Sequence, residues 1–348
     1  MLFKRNGIVL LTFILLIGLA FIVGGCGGNT ANNPEPSPAE PVKEEKIVLK
    51  LGELNPDTHV MTIAFREFAR IVEDKTDGRI VVEVFPAGQL GDQQTMIQAL
   101  QMGALDIYRT NPSFLADLGM EKMNVFHLPF LFRDVDHCWD VLNGPIGEEF
   151  LRVVDDSDRK MIGFGYFAES PRNFFFRNKV VTSIADMKGL KIRVPQSQMY
   201  LDIVEAFGAS PTPLAYAELY SALQTGVVDG AENPLTGYFV NKFYEVAPYY
   251  TLNGHELAPS VIMFSELSWR KLSESDQTLL SESMREAERY MRSLSAQKDK
   301  EAIDAMLAAG VTISEIDNHQ EWVDAVTPLY EKYGAKYLDV IERIQNVK

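Results

Sequence analysis

Two stretches of the chain carry the same alternation of short strand and helix, and this repeat limits the possible folds more than any other feature. In the first, residues 46–54 alternate weakly as a strand. Residues 58–77 then place Ile63, Phe65, Phe68, Ile71 and Val72 on an approximate helical stripe, and Gly78 suits a helix C-terminus. Ile80, Val82 and Val84 share one face of a second strand, which Pro86-Ala87-Gly88 stops. Residues 92–103 form a helix with Met96, Ile97 and Leu100 inward, and 104–107 a short strand. The pattern restarts at 190–194 as a strand, continues as a helix over 197–207 ending at Gly208, an extended 212–214, a helix over 216–226, and a strand over 228–231. Each stretch reads β-α-β-α-β, the mark of a mostly parallel sheet with helices on both faces. Two such units predict an α/β protein of two related lobes, as does a body of roughly 300 residues, which exceeds the usual size of one core.

The remaining segments fit around these units. Residues 126–132 are an apolar loop with Pro129 in its middle, 137–150 a helix, 160–167 a strand, and Phe174–Phe176 opens the strand after it. Residues 257–265 are extended. Ser273 and Asp276 resemble a capping box that opens a long helix reaching about Ala309. Leu280, Met284, Ala287, Met291 and Leu294 follow at steps of four and three on one face. At 1.5 Å per residue this helix spans about 50 Å, enough to brace both lobes. Gly310 ends it, 311–313 is a short strand, and the last 30 residues are helical. The first lobe is assigned to 46–169 plus about 259–300, and the second to 170–258 plus about 301–348.

The N-terminus carries an export signal. Lys4 and Arg5 precede an almost wholly apolar run over residues 8–23, and Val23-Gly24-Gly25-Cys26 sets small residues before a cysteine. A positive head and an apolar run mark secretion. The cysteine identifies residues 1–26 as a lipoprotein signal with Cys26 as the lipidated first residue of the mature form. A single-pass anchor is the alternative, but a span usually needs about 20 apolar residues. Residues 27–45, rich in Gly, Asn, Pro, Glu and Ser, have no apolar period and read as a flexible tether to a membrane. A net charge of −15 argues against nucleic acid as a partner. After Cys26 only Cys138 remains, so no internal disulfide forms, and Cys138 is expected to be a partly buried small side chain.

No catalytic group, metal set or cofactor fingerprint stands out. None of the five histidines forms HExxH, there is no Gly-x-Ser-x-Gly elbow, and Gly88-x-x-Gly91 lacks the spacing of a dinucleotide loop. The chain reads as a binder rather than an enzyme. Arg193 sits near the end of the strand Leu190-Lys191-Ile192-Arg193-Val194, which Pro195 closes; ligands of open α/β sheets gather there, and its guanidinium matches a carboxylate bidentately. A structural ion pair is the alternative. Arg172, in Glu169-Ser170-Pro171-Arg172-Asn173, follows a strand at the lobe crossover and is either a cleft residue or a surface arginine. Asn233 follows the strand over 228–231 and either aligns a ligand or caps a loop. His59 and His255 each follow an element that faces the cleft, with ordinary polar packing as the alternative.

The ordered motifs Ala185-Asp186-Met187-Lys188-Gly189-Leu190-Lys191-Ile192-Arg193-Val194-Pro195, Gly208-Ala209-Ser210-Pro211-Thr212-Pro213 and Ala222-Leu223-Gln224-Thr225-Gly226-Val227-Val228-Asp229-Gly230-Ala231-Glu232-Asn233-Pro234 resemble the solute receptors of tripartite ATP-independent periplasmic (TRAP) transporters, of the dicarboxylate-binding type. Pro86-Ala87-Gly88-Gln89-Leu90-Gly91-Asp92 and Leu128-Pro129-Phe130-Leu131-Phe132 resemble further segments of that family, and the likeness runs from about Ile47 to the C-terminus. It implies a two-lobed periplasmic-binding-protein-like fold, class II-like, with a hinge and a cleft that closes on an organic acid. It also implies delivery to small and large membrane permease subunits. By motif it implies Arg193 as the main carboxylate clamp, Arg172 as a second arginine, and Asn233, Tyr216 and Asp92 as further ligand-binding positions.

One departure bears on the ligand. Members that bind sialic acid carry a glutamate after the third strand, where this chain has Arg109-Thr110-Asn111 and Asn111 takes the glutamate's approximate position. Sialic acid is therefore disfavoured. A small C4-type dicarboxylate or a sugar acid is expected, with Arg193 on one carboxylate and Arg109 or Arg172 on a second carboxylate or a hydroxyl. A ligand-binding sensor for a membrane kinase needs the same cleft, and an exported sugar-acid enzyme would need an acid–base pair that the sequence does not supply.

Overall fold

The computed structural model describes residues 46–348; the signal, Cys26 and the tether lie outside them. The described strands are β1 Ile47–Gly52, β2 Ile80–Phe85, β3 Ile107–Thr110, β4 Met161–Phe167, β5 Arg172–Phe176, β6 Lys191–Val194, β7 Ser210–Pro213, β8 Gly230–Asn233, β9 Tyr249–Glu256, β10 Ser260–Ser265 and β11 Thr312–Glu315. They form two sheets, β2-β1-β3-β10-β4 and β11-β9-β5-β8-β6-β7, each the centre of one lobe.

The repeat seen in the sequence is a repeat of topology. In the first sheet β1 pairs in parallel with β2 and β3; in the second β6 pairs in parallel with β7 and β8. Each trio then takes an antiparallel fourth strand from the other side of a crossover. β10 returns to lie against β3, and β5 lies against β8. The chain therefore passes between lobes at 168–171 and again at 257–259, just where the cleft lies.

Local chemistry explains the main elements. Helix Val60–Lys75 buries Ala64, Phe65, Phe68 and Val72. It ends in a left-handed turn whose Gly78 has φ +77° and donates its N–H to the Glu73 carbonyl at 2.9 Å. Helix Glu274–Ala308 starts at Ser273, whose hydroxyl accepts the Asp276 N–H at 3.1 Å. It buries Leu280, Met284, Ala287 and Met291 and packs on helix Val60–Lys75 and β4 in one lobe and on helix Leu235–Val240 in the other. No helix of the described residues is long and apolar enough to cross a membrane.

Several elements differ from the sequence reading. The helix predicted over 137–150 is two, Val135–Leu142 and Pro145–Asp155, because Pro145 lacks an N–H and sits comfortably only at a helix start. The strand predicted over 228–231 lies two residues later, so Asn233 ends β8 instead of following it in a loop. β9 is an addition; its pairing with β5 and β11 is long-range and leaves no local signal. Cys138 is fully buried, and burial pushes its thiol well above the ordinary range. In the C-terminal tail, Trp322 packs against Phe174 and Phe207 of the second lobe. The final helix Leu338–Gln345, assigned by sequence to the second lobe, docks on the first: His137 Nε2 lies 2.9 Å from the Ile344 carbonyl, and Arg133 donates to the carbonyls of Gln345 and Val347.

The long helix also carries a pH dependence. Glu288 accepts the Tyr166 N–H at 2.7 Å, and burial pushes its carboxyl up to about 7 against the pull of Arg285 and Arg289. Its folded pKa is raised, so the folded state keeps a proton that the unfolded state has released. The resulting stabilisation is complete below the ordinary carboxylate range and is lost as pH rises through about 7. Glu288 borders an open groove, so solvent screening holds the effect to about 1–3 kcal/mol. Urea midpoints should fall between pH 5 and pH 8 in the native chain and fall less in Glu288→Gln.

Candidate functional site

The ends of the parallel strands meet at one cavity between the lobes, with about 730 Å³ of empty space, part of it open to solvent. Its first-lobe wall includes Asn55 and His59 after β1, Asn111 after β3, and Ser260 at the start of β10. Its second-lobe wall includes Arg193 and Pro195 at the end of β6, Tyr216 after β7, and Asn233 at the end of β8. Open α/β sheets place ligands just beyond their strands' carboxyl ends, and here two sheets do so face to face.

Arg193 is 2% exposed. Its Nε and Nη2 donate to the Leu214 carbonyl at 3.1 and 2.7 Å, and the guanidinium lies 5.6 Å from the Tyr216 ring centroid. No carboxylate of the described residues pairs with it. The structural ion pair considered from sequence is thus absent among them. Burial pushes its pKa down to about 10. With one edge fixed by a backbone carbonyl, the remaining N–H groups can serve a planar anion.

The other two arginines are paired internally. Arg109 sends Nε and Nη2 to the two carboxylate oxygens of fully buried Glu53, both at 2.7 Å, and Nη1 to Ser260 at 3.2 Å. Burial works against the Arg109 charge, but the Glu53 carboxylate outweighs it and raises the pKa above the usual value. Arg172 bonds Glu232 through Nε and, at 3.0 Å, through Nη2; it also faces Tyr200, 5.6 Å from the ring centroid. It is largely buried, not the surface arginine the sequence allowed, and Glu232 holds its pKa well up despite burial. Both arginines line the cavity with their charge already met.

Tyr216 is held by two amides, accepting from Asn233 Nδ2 at 3.3 Å and Asn241 Nδ2 at 2.9 Å. Its own O–H is left to donate, and burial pushes its pKa up to about 12. Asn233 keeps its rotamer because residue 237 is glycine; a Cβ there would lie 2.5 Å from Asn233 Oδ1. Asn111 donates to the Tyr200 hydroxyl at 2.7 Å, joining the lobes across the cleft. His59 accepts the Met61 N–H on Nδ1 at 3.2 Å, which leaves its proton on Nε2, 3.3 Å from Glu169. Burial lowers its pKa against the pull of Glu169, so the ring is neutral.

Seven sequence candidates therefore share the cavity: Arg193, Arg172, Asn233, Tyr216, Arg109, Asn111 and His59. Asp92 does not. It is exposed, caps helix Gln93–Gln101 by accepting the Thr95 N–H at 2.8 Å, and borders a neighbouring cavity with Tyr216; Gln93 reaches the cleft in its place. His255 stacks on Phe174 at 4.5 Å and does not line the cleft. Sequence reasoning missed Glu53, whose partner is 56 residues away. It also missed Glu169, although Glu169 opens the crossover segment that carries Arg172. Glu232, His255 and Glu256 place ligand atoms within 4.8 Å of one another. Arg172 already engages Glu232, and His127 Nε2 lies 2.9 Å from Glu256, so both carboxylates of this group already have protein partners.

The family model described as bacterial extracellular solute-binding protein, family 7, matches residues 51–336. A TRAP periplasmic solute-binding protein from Bradyrhizobium sp. btai1 b, solved with α/β-D-galacturonate, is 35% identical with a TM-score of 0.82, over 86% of this chain and 99% of that one. One from Pseudomonas putida F1 with bound D-glucuronate is 32% identical with a TM-score of 0.84, over 87% and 98%. The 2,3-diketo-L-gulonate-binding periplasmic protein YiaO of Escherichia coli K12 is 30% identical over 85% of this chain and 92% of its own length.

Proposed function

We propose that this chain, which belongs to family 7 of the bacterial extracellular solute-binding proteins, is the receptor of a TRAP transporter and captures a sugar acid with a single carboxylate. The observation that carries the reading is the pairing of charges in the cleft. Glu53 meets Arg109 and Glu232 meets Arg172, while Arg193 has no carboxylate partner among the described residues. One unmatched buried cation suits one anionic group, because an uncompensated second carboxylate would be costly to bury. The C4 dicarboxylate half of the sequence expectation loses the second free arginine it needed. Galacturonate, glucuronate and diketogulonate, named for the relatives, each have one carboxylate and several hydroxyls.

The acid docks on Arg193 in an open form. The lobes, taken as 46–169 plus about 259–300 and 170–258 plus about 301–337, with the final helix Leu338–Gln345 docked on the first, close about the crossovers. Closure removes water and strengthens the ion pair in lower dielectric. The closed surface is then presented to the small and large permease subunits in the membrane. Calorimetric titration tests the reading: D-glucuronate or D-galacturonate should bind at least about tenfold tighter than succinate or malate, a difference of about 1.4 kcal/mol. Tighter binding of the dicarboxylates would overturn it.

The receptor works outside the cytoplasm, and Cys26 is its lipid anchor to the cell membrane. The support is the sequence alone, a charged head, an apolar run and small residues before the cysteine. In cells, native protein should fractionate with membranes and Cys26→Ser should not. Equal membrane association of both would refute lipidation at this residue.

A further inference from the structure

We infer that Glu169 is the specificity-determining residue that accepts hydroxyl hydrogens from a sugar acid and turns away acids with a second carboxylate. The inference rests on the sugar-acid reading above and assigns a residue outside those the sequence motifs pointed to.

Glu169 lies on the crossover between β4 and β5 and lines the cavity, with its side chain 10% exposed. Its Oε1 accepts from Thr236 Oγ1 of the second lobe at 2.8 Å and lies 3.3 Å from His59 Nε2 of the first. Neither partner brings a positive charge, because buried His59 is neutral. Among the described residues no arginine or lysine lies within ion-pair distance of Glu169. The nearby arginines are committed elsewhere, Arg109 to Glu53 and Arg172 to Glu232. Both contacts use Oε1, so Oε2 keeps its acceptor capacity.

The cleft thus holds one unmatched charge of each sign, Arg193 and Glu169. A ligand that complements both has an anionic end and a donor-bearing end. Sugar hydroxyls supply such donors, and hydrogen bonds from hydroxyl to carboxylate are short and strong. A second carboxylate at that end would meet a like charge in a site of low dielectric. Glu169 touches both lobes and the cavity, so occupancy of its free oxygen is also read by the two contacts that join the lobes.

The test compares D-glucuronate with D-glucarate, its counterpart oxidised at both ends, by calorimetry on the native chain, Glu169→Gln and Glu169→Asp. The native chain should prefer glucuronate. Glu169→Gln keeps an acceptor for Thr236 but loses the charge. It should weaken glucuronate about 10–100-fold, the range for hydrogen bonds to charged groups, and shift the glucarate-to-glucuronate ratio at least about tenfold toward the diacid. Glu169→Asp keeps the charge but withdraws it. It should weaken glucuronate while still rejecting glucarate, an outcome a purely structural role would not produce. An unchanged ratio in the Gln variant, or a full shift in the Asp variant, would overturn the assignment even with the sugar-acid reading intact. If the native chain binds neither glucuronate nor galacturonate, the sugar-acid reading falls and this inference with it.

Discussion

Arg193→Met should abolish capture of the acid while leaving the protein folded. Removing one partner of a buried, hydrogen-bonded ion pair costs about 3–5 kcal/mol, which weakens binding by roughly 10²–10³-fold or more. The same substitution should stabilise the ligand-free protein. Burial pushes Arg193 down to about 10 from an ordinary value of 12.5, so keeping it charged at neutral pH costs about 3 kcal/mol. The ligand carboxylate recovers that cost, and methionine removes it. Calorimetry should find no heat with glucuronate, and thermal melting without ligand should move upward. Native affinity in a folded variant would refute the clamp.

Glu53→Gln should have the largest effect on stability. Glu53 is fully buried and accepts both arms of Arg109, the Asn55 N–H at 2.8 Å and Asn55 Nδ2 at 2.9 Å. Neutralising it leaves the Arg109 charge buried without compensation, at a cost of about 3–5 kcal/mol. Pairing Glu53→Leu with Arg109→Met removes both charges and should recover much of that loss, since replacing a buried pair by apolar groups is often close to neutral. Urea denaturation of the single and double variants measures the difference. A single variant as stable as the native chain would show that solvent reaches the pair.

The architecture was legible because it is written in local periodicity. Phe65, Phe68 and Val72 on one helical face, alternation at Ile80, Val82 and Val84, and Gly78 at a helix end each need only neighbours to interpret. The second unit repeats those signals, so two lobes followed from one pattern seen twice. Strand β9 was not legible, because its role comes from pairing with β5 and β11, far away in sequence. The site divided the same way. Motif resemblance located Arg193, Arg172, Tyr216 and Asn233, but could not say which arginines are free. That depends on Glu53, 56 residues before Arg109, and on Glu232, 60 residues after Arg172. Asp92 shows the converse: its place before helix Gln93–Gln101 is explained by an N-cap, a local role that motif matching alone does not separate from ligand contact.

The central claim is that a single carboxylate on Arg193 is what this cleft recognises. Titrating the native chain with D-glucuronate and with D-glucose, which differ by the acid group at one carbon, tests it most directly. Binding of glucuronate with no detectable heat for glucose is the predicted result. Glucose binding as tightly as glucuronate would contradict it.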